Sequence, residues 1–268
     1  DAQFNEFAQT PRYNLEDTPT NTEPNIVVSW WTRLLSAVVS GDIANQDERY
    51  LAHQTSRDYI FNAIGQGSWG ALFPLLTIVC SQLIGVEQAG LFSMAFVIAT
   101  LLLFIAQYGV RTYQVSDLEE QRSFSDYQIQ RAATVIVMVI AGVIWYLFKG
   151  YTEPMFSICT GCLLFRATDG MADVYEGRLQ QKDKLYLAGL SQALRCGLSF
   201  IVFSLILLIT RNLVWASWGM GICALTTLIF VSTPLALLET DKSAKARLQN
   251  IKEIFVQCWP LFLALFLY

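Results

Sequence analysis

The stretch LLFRATDGMADVYEGRLQQKDK, residues 163–184, begins as apolar as a membrane-spanning helix and then becomes charged. Its polar side chains recur at intervals of three and four residues, which places them on one stripe of an α-helix. The stripe consists of Arg166, Asp169, Asp173, Glu176 and Gln180. Ionisable groups at membrane depth are costly and usually face a bundle interior or a watery cavity. The stripe therefore predicts a path for a hydrophilic substrate, with an i,i+3 pair of Arg166 and Asp169 that only stabilises packing as the alternative.

Composition places the chain among membrane proteins. Its 268 residues are 54% hydrophobic and only 15% charged, and its mean hydropathy is +0.40. A formal charge of -4 gives no support for nucleic-acid binding. Cys159 and Cys162 have zinc-like spacing, but neither a second cysteine pair nor a histidine accompanies them, so packing between helices is favoured. The chain opens without an initiator Met and stops inside an apolar run, so we expect a piece of a longer protein.

Hydrophobic segments recur regularly after the first 57 residues, and they lack the alternating pattern of barrel strands. Their lengths predict an all-α polytopic membrane protein, because a spanning helix needs about twenty residues. The first segment contains three glycines and a proline, which predicts a kink. The predicted spans are 59–83, 91–108, 132–148, 155–177, 185–209 and 213–238, with 254–268 as the beginning of a seventh.

The first 57 residues differ in composition from the rest. Residues 1–25 are polar and rich in proline and threonine, which predicts a disordered tail. Residues 26–39 are apolar but too short to span a bilayer, so they are interpreted as an interfacial helix. Lys and Arg concentrate in the loops after the second, fourth and sixth spans, which predicts that these loops and the N-terminus are cytoplasmic.

Helix rise then sets the depth of the charged groups. With about 1.5 Å per residue, Arg166 on the fourth span lies about 16 Å and Arg195 on the fifth about 15 Å into the membrane. The two arginines are thus predicted at similar depth on adjacent antiparallel helices. Asp169 and Asp173 lie nearer the cytoplasm.

Two further polar pairs lie near the cytoplasmic ends of the first two spans. Asn62 and Gln66 are four residues apart near the inner end of the first, and Gln107 and Arg111 have the same spacing at the inner end of the second. That spacing puts each pair on one face of its helix. These pairs are therefore candidates for lining a cavity.

Several of these runs resemble the bacterial polysaccharide flippases, the O-antigen, capsule and exopolysaccharide exporters of the multidrug/oligosaccharidyl-lipid/polysaccharide superfamily. The similar runs are RTYQVSD at 111–117, RSFSDY at 122–127 with Arg131, RATDGMADVYEG at 166–177 with Gln180, and the dipeptide LR at 194–195. The resemblance covers residues 57–247. It implies two six-helix lobes around a central cavity, so 58–238 would be the first lobe, 239–252 the cytoplasmic linker and 253–268 the start of the second.

The resemblance also implies a function, namely flipping a polyprenyl-pyrophosphate-linked oligosaccharide from the inner to the outer leaflet of the bacterial inner membrane. Partners would be the lipid-linked substrate, membrane lipids, and a glycan polymerase and glycosyltransferases. No enzyme activity or cofactor is implied, although Na⁺ or H⁺ could couple transport. Arginine suits a pyrophosphate because it binds phosphate bidentately. The candidate ligands are Arg166 and Arg195 at depth, Arg57 and Arg111 at the cytoplasmic mouth, and Asn62, Gln66, Gln107, Asp169 and Asp173 along the cavity.

Four alternatives stay open from the residues. Arg195 could merely neutralise Asp169 or Asp173, and the mouth arginines could reflect positive-inside topology alone. A cation-coupled multidrug exporter of the same superfamily would use Asp169 for the cation, although two midplane arginines weigh against cationic cargo. A membrane enzyme is disfavoured, since the outer loops at 84–88 and 149–154 are short and His53 is the only histidine.

Overall fold

The computed structural model describes residues 54–117, 120–240 and 244–267, which form α-helices joined by short connections. The predicted tail at 1–25 and the predicted interfacial helix at 26–39 lie outside the described residues. The helices are α1 Gln54–Ile84, α2 Val86–Gln107, α3 Val110–Ser116, α4 Phe124–Phe148, α5 Met155–Gln181, α6 Leu185–Thr210, α7 Leu213–Thr227, α8 Thr233–Leu238 and α9 Leu248–Leu267.

Five helical stretches in the described part of the chain are long and apolar enough to cross a membrane. They are Arg57–Ile84, Val86–Ser116, Phe124–Phe148, Leu185–Thr210 and Leu213–Leu238. Each contains one of the predicted spans, so those predictions are confirmed in position. Large apolar side chains are exposed along them, for example Ile136, Ile140 and Ile144 at intervals of four on α4. Such a row is the surface expected against lipid, and the chain has the character of a multi-pass membrane protein.

Helix α5, the charged predicted span, is not among those five stretches. It packs against α2, α3, α4, α6 and α7, and most of its residues are buried. The apolar side of α5 therefore meets other helices. Enclosure by the bundle explains how a helix with so many ionisable side chains is accommodated, because its charges can be paired inside the protein.

Close backbone contact positions the neighbouring helix α6 against α1. A Cβ atom on Gly189 of α6 would lie 2.2 Å from the carbonyl oxygen of Phe61 on α1. Only a glycine leaves room for this approach, a common device in helix pairs within membranes. The contact brings the middle of α6, with Arg195, toward α1 and α5.

Helix α9 begins at Leu248 and packs on α2, α3 and α4. Its buried side chains are Ile251, Ile254 and Cys258. At the sharp turn between α2 and α3, Gly109 has a φ of +69°, and a Cβ there would lie 2.5 Å from the Cβ of Leu261. The assignment of this helix to a second lobe stays a prediction.

Candidate functional site

The centre of the lobe contains a buried ion-pair cluster, the Asp169 cluster, made by Trp69, Arg166, Asp169, Glu176 and Arg195. Asp169 accepts hydrogen bonds on both carboxylate oxygens: Oδ2 from Trp69 Nε1 at 2.7 Å and from Arg166 Nη1 at 3.0 Å, and Oδ1 from Arg195 Nη2 at 2.7 Å. Arg195 Nη1 also donates to Glu176 Oε1 at 2.5 Å. Helices α1, α5 and α6 thus meet at one carboxylate.

Arg195 is enclosed by this cluster. Its side chain is 1% exposed, and its Nε, Nη1 and Nη2 atoms all donate to Asp169 or Glu176. The two arginines predicted at similar depth do meet at Asp169, but the nitrogen atoms of Arg195 are taken up by carboxylates. The geometry agrees with the alternative of a neutralising pair with Asp169, with Glu176 as a second carboxylate. Direct substrate binding by Arg195 stays a prediction.

A second, partly buried group, the Asp173 cluster, joins Arg111, Arg131 and Asp173. Asp173 accepts from Arg111 Nη1 at 2.8 Å and from Arg131 Nη2 at 2.7 Å. Arg111 Nη1 also lies 3.8 Å from Glu176 Oε2, which connects the two clusters. Arg111 was predicted at the mouth, but its guanidinium turns inward to α5 and its side chain is only 25% exposed.

The two clusters together form a continuous network, the α5 network, that carries excess positive charge. Among the described residues it contains four arginines (Arg111, Arg131, Arg166, Arg195) and three carboxylates (Asp169, Asp173, Glu176). With every group ionised, four positive and three negative charges leave a net charge of one. Excess charge in a network that is mostly shielded from water is unfavourable unless something compensates it, so this arrangement favours an anion nearby.

Arg166, a member of the network, lines a cavity. The cavity has a volume of about 220 Å³ and lies between α1 and α2. Its lining residues are Trp69, Gly70, Phe73, Phe96, Val97, Thr100, Leu101 and Arg166. The Arg166 guanidinium carbon lies 4.5 Å from the ring centroid of Phe96 and 5.0 Å from that of Trp69. Aromatic faces so placed stabilise a cation held away from water.

The other predicted ligands lie outside the α5 network. Gln66 is exposed on α1, while Asn62 and Gln107 are half-buried. Within the described part of the chain no hydrogen bond or ion pair joins these three side chains to the network. Arg57 stacks on Tyr186 of α6, with its guanidinium carbon 4.2 Å from the ring centroid.

A third ion-pair group, the Glu120 cluster, lies at the turn between α3 and α4. Glu120 Oε2 is 3.2 Å from Arg178 Nη1, and Oε1 is bonded to Lys182. The Glu120 side chain is 35% exposed. Partial burial acts to raise the pKa of this carboxyl, but the hydrogen bond from Lys182 and the charge of Arg178 outweigh it and hold the pKa below its ordinary value.

Sequence reasoning missed three participants. Glu176 belongs to the predicted stripe but not to the predicted ligands, and Arg131 lies one residue before the predicted span at 132–148. The sequence did contain a signal for Arg131: Ser123 and Asp126 form a capping box that starts α4 at Phe124, which puts Arg131 inside the helix. Trp69 lies 100 residues from Asp169, and no local pattern indicates its contact.

Solved structures similar to this chain identify the fold. One is a multidrug resistance MATE family transporter of the MOP superfamily in an outward-facing conformation, with a TM-score of 0.52, 16% identity, and coverage of 78% of this chain and 52% of that one. Another is a MOP superfamily transporter from Pyrococcus furiosus, whose reverse polarity of binding pocket suggests a different function, with a TM-score of 0.52, 17% identity, and coverage of 78% and 51%. The chain matches no protein-family model and no curated protein.

These likenesses show that the described helices have the fold of one lobe of a MOP superfamily transporter, and the predicted fold class is confirmed. The chain spans about half the length of these structures. Sequence identities of 16% and 17% show a shared fold and do not indicate which substrate is transported. The narrower resemblance to polysaccharide flippases therefore belongs to the proposal below.

Proposed function

On the basis of this fold, we propose that the chain is the N-terminal lobe of a transporter that flips a polyprenyl-pyrophosphate-linked oligosaccharide from the inner to the outer leaflet of a bacterial inner membrane. The observation that carries the proposal is the excess of arginine in the α5 network, where four guanidinium groups face three carboxylates. A pyrophosphate crossing the membrane needs compensating charge at depth, and arginine supplies it with a fixed hydrogen-bonding fork.

Within this proposal the two deep arginines have different tasks. Arg166 lines the cavity and contacts the pyrophosphate, whereas Arg195 holds Asp169 and Glu176 in place so that Asp169 orients Arg166. Gln66 on the exposed part of α1 is suited to bonding sugar hydroxyls, as are the half-buried Asn62 and Gln107. The lobe would act by alternating access with no covalent step.

The second candidate is a cation-coupled multidrug exporter of the same superfamily. Its support is the multidrug resistance MATE transporter among the similar structures. In this reading Asp169 binds Na⁺ or H⁺. However, Asp169 already holds Arg166 and Arg195, so an incoming cation would have to displace two guanidinium groups. The charge of the network therefore favours the first candidate.

The test is transport by the full-length protein in two bacterial strains. A strain without its own flippase reports glycan export, and a drug-sensitive strain reports drug efflux, each normalised to the amount of protein in the membrane. We expect glycan export and no drug resistance. Arg166→Lys should reduce export about tenfold or more, because an ammonium lacks the planar fork.

Arg211→Lys is the matched control, since Arg211 caps the end of α6 and bonds to a backbone carbonyl outside the network. It should export like the wild type. Wild-type glycan export by Arg166→Ala/Arg195→Ala would contradict the pyrophosphate assignment. Drug resistance without glycan export would establish the second candidate instead.

A further inference from the structure

We propose that the cavity between α1 and α2 binds the junction of an acidic head and a hydrocarbon chain, that is, the pyrophosphate of a prenyl pyrophosphate together with its first isoprene unit. This inference rests on the proposed function and deepens it, because it names the part of the lipid-linked substrate that the lobe holds. The evidence comes from the free edge of Arg166, the walls of the cavity, its size and its mouth.

The Arg166 guanidinium presents a free hydrogen-bonding edge. Its residue is 3% exposed, its Nε donates to Thr100 Oγ1 at 3.1 Å, and its Nη1 donates to Asp169. Nη2 has no hydrogen-bond partner among the described residues. A buried guanidinium with an unused donor edge in a cavity is suited to a phosphate oxygen, because such charge-assisted bonds are stronger than neutral ones.

The walls beside Arg166 suit a hydrocarbon and not a sugar. Besides Thr100 and the indole of Trp69, they consist of apolar or glycine residues, including the stacked rings of Phe73 and Phe96 with centroids 5.2 Å apart. The volume of about 220 Å³ exceeds the roughly 150 Å³ of a dry engineered cavity that holds benzene. It is smaller than the roughly 300 Å³ or more of drug-sized pockets. One short apolar unit fits, and the oligosaccharide has to lie outside.

The mouth of the cavity opens on a face of α2 that continues to α9. Val97 and Leu101 line the cavity and are 45% and 57% exposed. With Phe104 they form a row at helical spacing that leads to Tyr108, whose ring stacks on Phe262 of α9 with centroids 4.8 Å apart. An amphiphile can therefore enter from this exposed apolar face while its polar head reaches Arg166.

The experiment measures binding of farnesyl pyrophosphate, farnesol and inorganic pyrophosphate to the purified full-length protein in detergent. We expect farnesyl pyrophosphate to bind at least about tenfold more tightly than either fragment. Gly70→Leu, which fills the cavity, should weaken its binding about tenfold or more. Gly67→Leu is the matched control on the same helix: both glycines have open space where a Cβ would stand, but only Gly70 lines the cavity.

Three results would overturn this inference: equal binding of farnesol, equal binding of inorganic pyrophosphate, or equal loss of binding in Gly67→Leu and Gly70→Leu. Its failure is distinguishable from that of the proposed function. If Gly70→Leu exported glycan with full activity, the proposed binding role of the cavity would be refuted and the proposed flippase function would stand. If the protein exported no glycan but bound farnesyl pyrophosphate in a way that depends on Gly70, the flippase function would be refuted and the binding role of the cavity would stand.

Discussion

The Asp169 cluster and the Glu120 cluster each hold one carboxylate between two basic side chains, yet they differ in burial. The Asp169 side chain is 5% exposed and is shared by Arg166 and Arg195. The Glu120 side chain is 35% exposed and is shared by Arg178 and Lys182. Asp169 also receives an indole hydrogen bond from a third helix. Both carboxylates have two basic partners, so the exposure of the carboxylate to water is a main difference between the clusters.

The comparison shows that removing one partner of an ion pair has different effects on stability in buried and in exposed surroundings. Where water is excluded, removing one partner leaves a charge without compensation, and the loss is large even though the intact pair adds little net stability. Where water reaches the pair, solvent replaces the missing partner and the loss is small. We therefore expect the buried Asp169 cluster to stabilise the packing of α1, α5 and α6 strongly. The Glu120 cluster should contribute less to the stability of the turn between α3 and α4.

The largest effect is expected from Arg195→Met. This change leaves Glu176 with only the 3.8 Å contact to Arg111 and leaves Asp169 with one arginine. It should therefore lower the free energy of unfolding by about 3–5 kcal/mol. Thermal unfolding of the purified full-length protein in detergent measures it. Adding Glu176→Gln should restore part of the loss, because the second change removes a buried charge that has lost its nearest partner. A stability equal to that of the wild type in Arg195→Met would contradict the distinction between the clusters.

Trp69→Phe should have an intermediate effect. It keeps an aromatic ring beside Arg166 but removes the 2.7 Å hydrogen bond to Asp169. Hydrogen bonds to charged groups contribute roughly 1.5–3 kcal/mol, and the same unfolding measurement should show a loss in that range. In a double-mutant cycle with Asp169→Asn the two losses should not add. Additive losses would mean that Trp69 acts independently of the cluster.

At the exposed cluster, Lys182→Met should lower stability by less than about 1 kcal/mol, and the effect should shrink further at high salt. Lys182 has the same charge as Arg195 and also pairs with a carboxylate, so it is the control for burial. Measuring the free energy of unfolding of Lys182→Met and of the wild type at low and at high salt concentration tests this prediction. A loss as large as that of Arg195→Met would remove the contrast.

The smallest expected effect is the contribution of Glu120 to stability at acidic pH. The pKa of Glu120 is lowered in the folded lobe by Lys182 and Arg178, which outweigh partial burial. The unfolded chain then binds the proton more readily, so the contribution of Glu120 is present above about pH 4.3, the unfolded pKa of a glutamate, and is lost as pH falls through the lower folded pKa. Glu120→Gln should flatten that part of the pH profile of stability. An unchanged profile would show that Glu120 is not the titrating group.

Much of the fold was predictable because the length of a hydrophobic segment is a local signal. In the described part of the chain each predicted span coincides with helix over nearly all of its length, and the fifth begins at Leu185 as expected. Helix α4 begins at Phe124, before the predicted apolar span at 132–148, because a capping box starts the helix in a polar stretch. The pairing of the site residues was only partly predictable. The i,i+3 pair of Arg166 and Asp169 is local, whereas Arg131 and Trp69 reach α5 from other helices.

By itself the sequence determined the helical class, the approximate ends of the helices, and the stripe of charge on α5, because each depends on residues within a few turns of one another. Only the tertiary structure decided that α5 is enclosed, that Arg195 is saturated by two carboxylates, and that Arg166 keeps a free edge in a cavity. Those facts depend on which helix faces lie together. Helix packing sets these by shape and close approach, such as that of Gly189 to Phe61, across distances in the chain that periodicity does not encode.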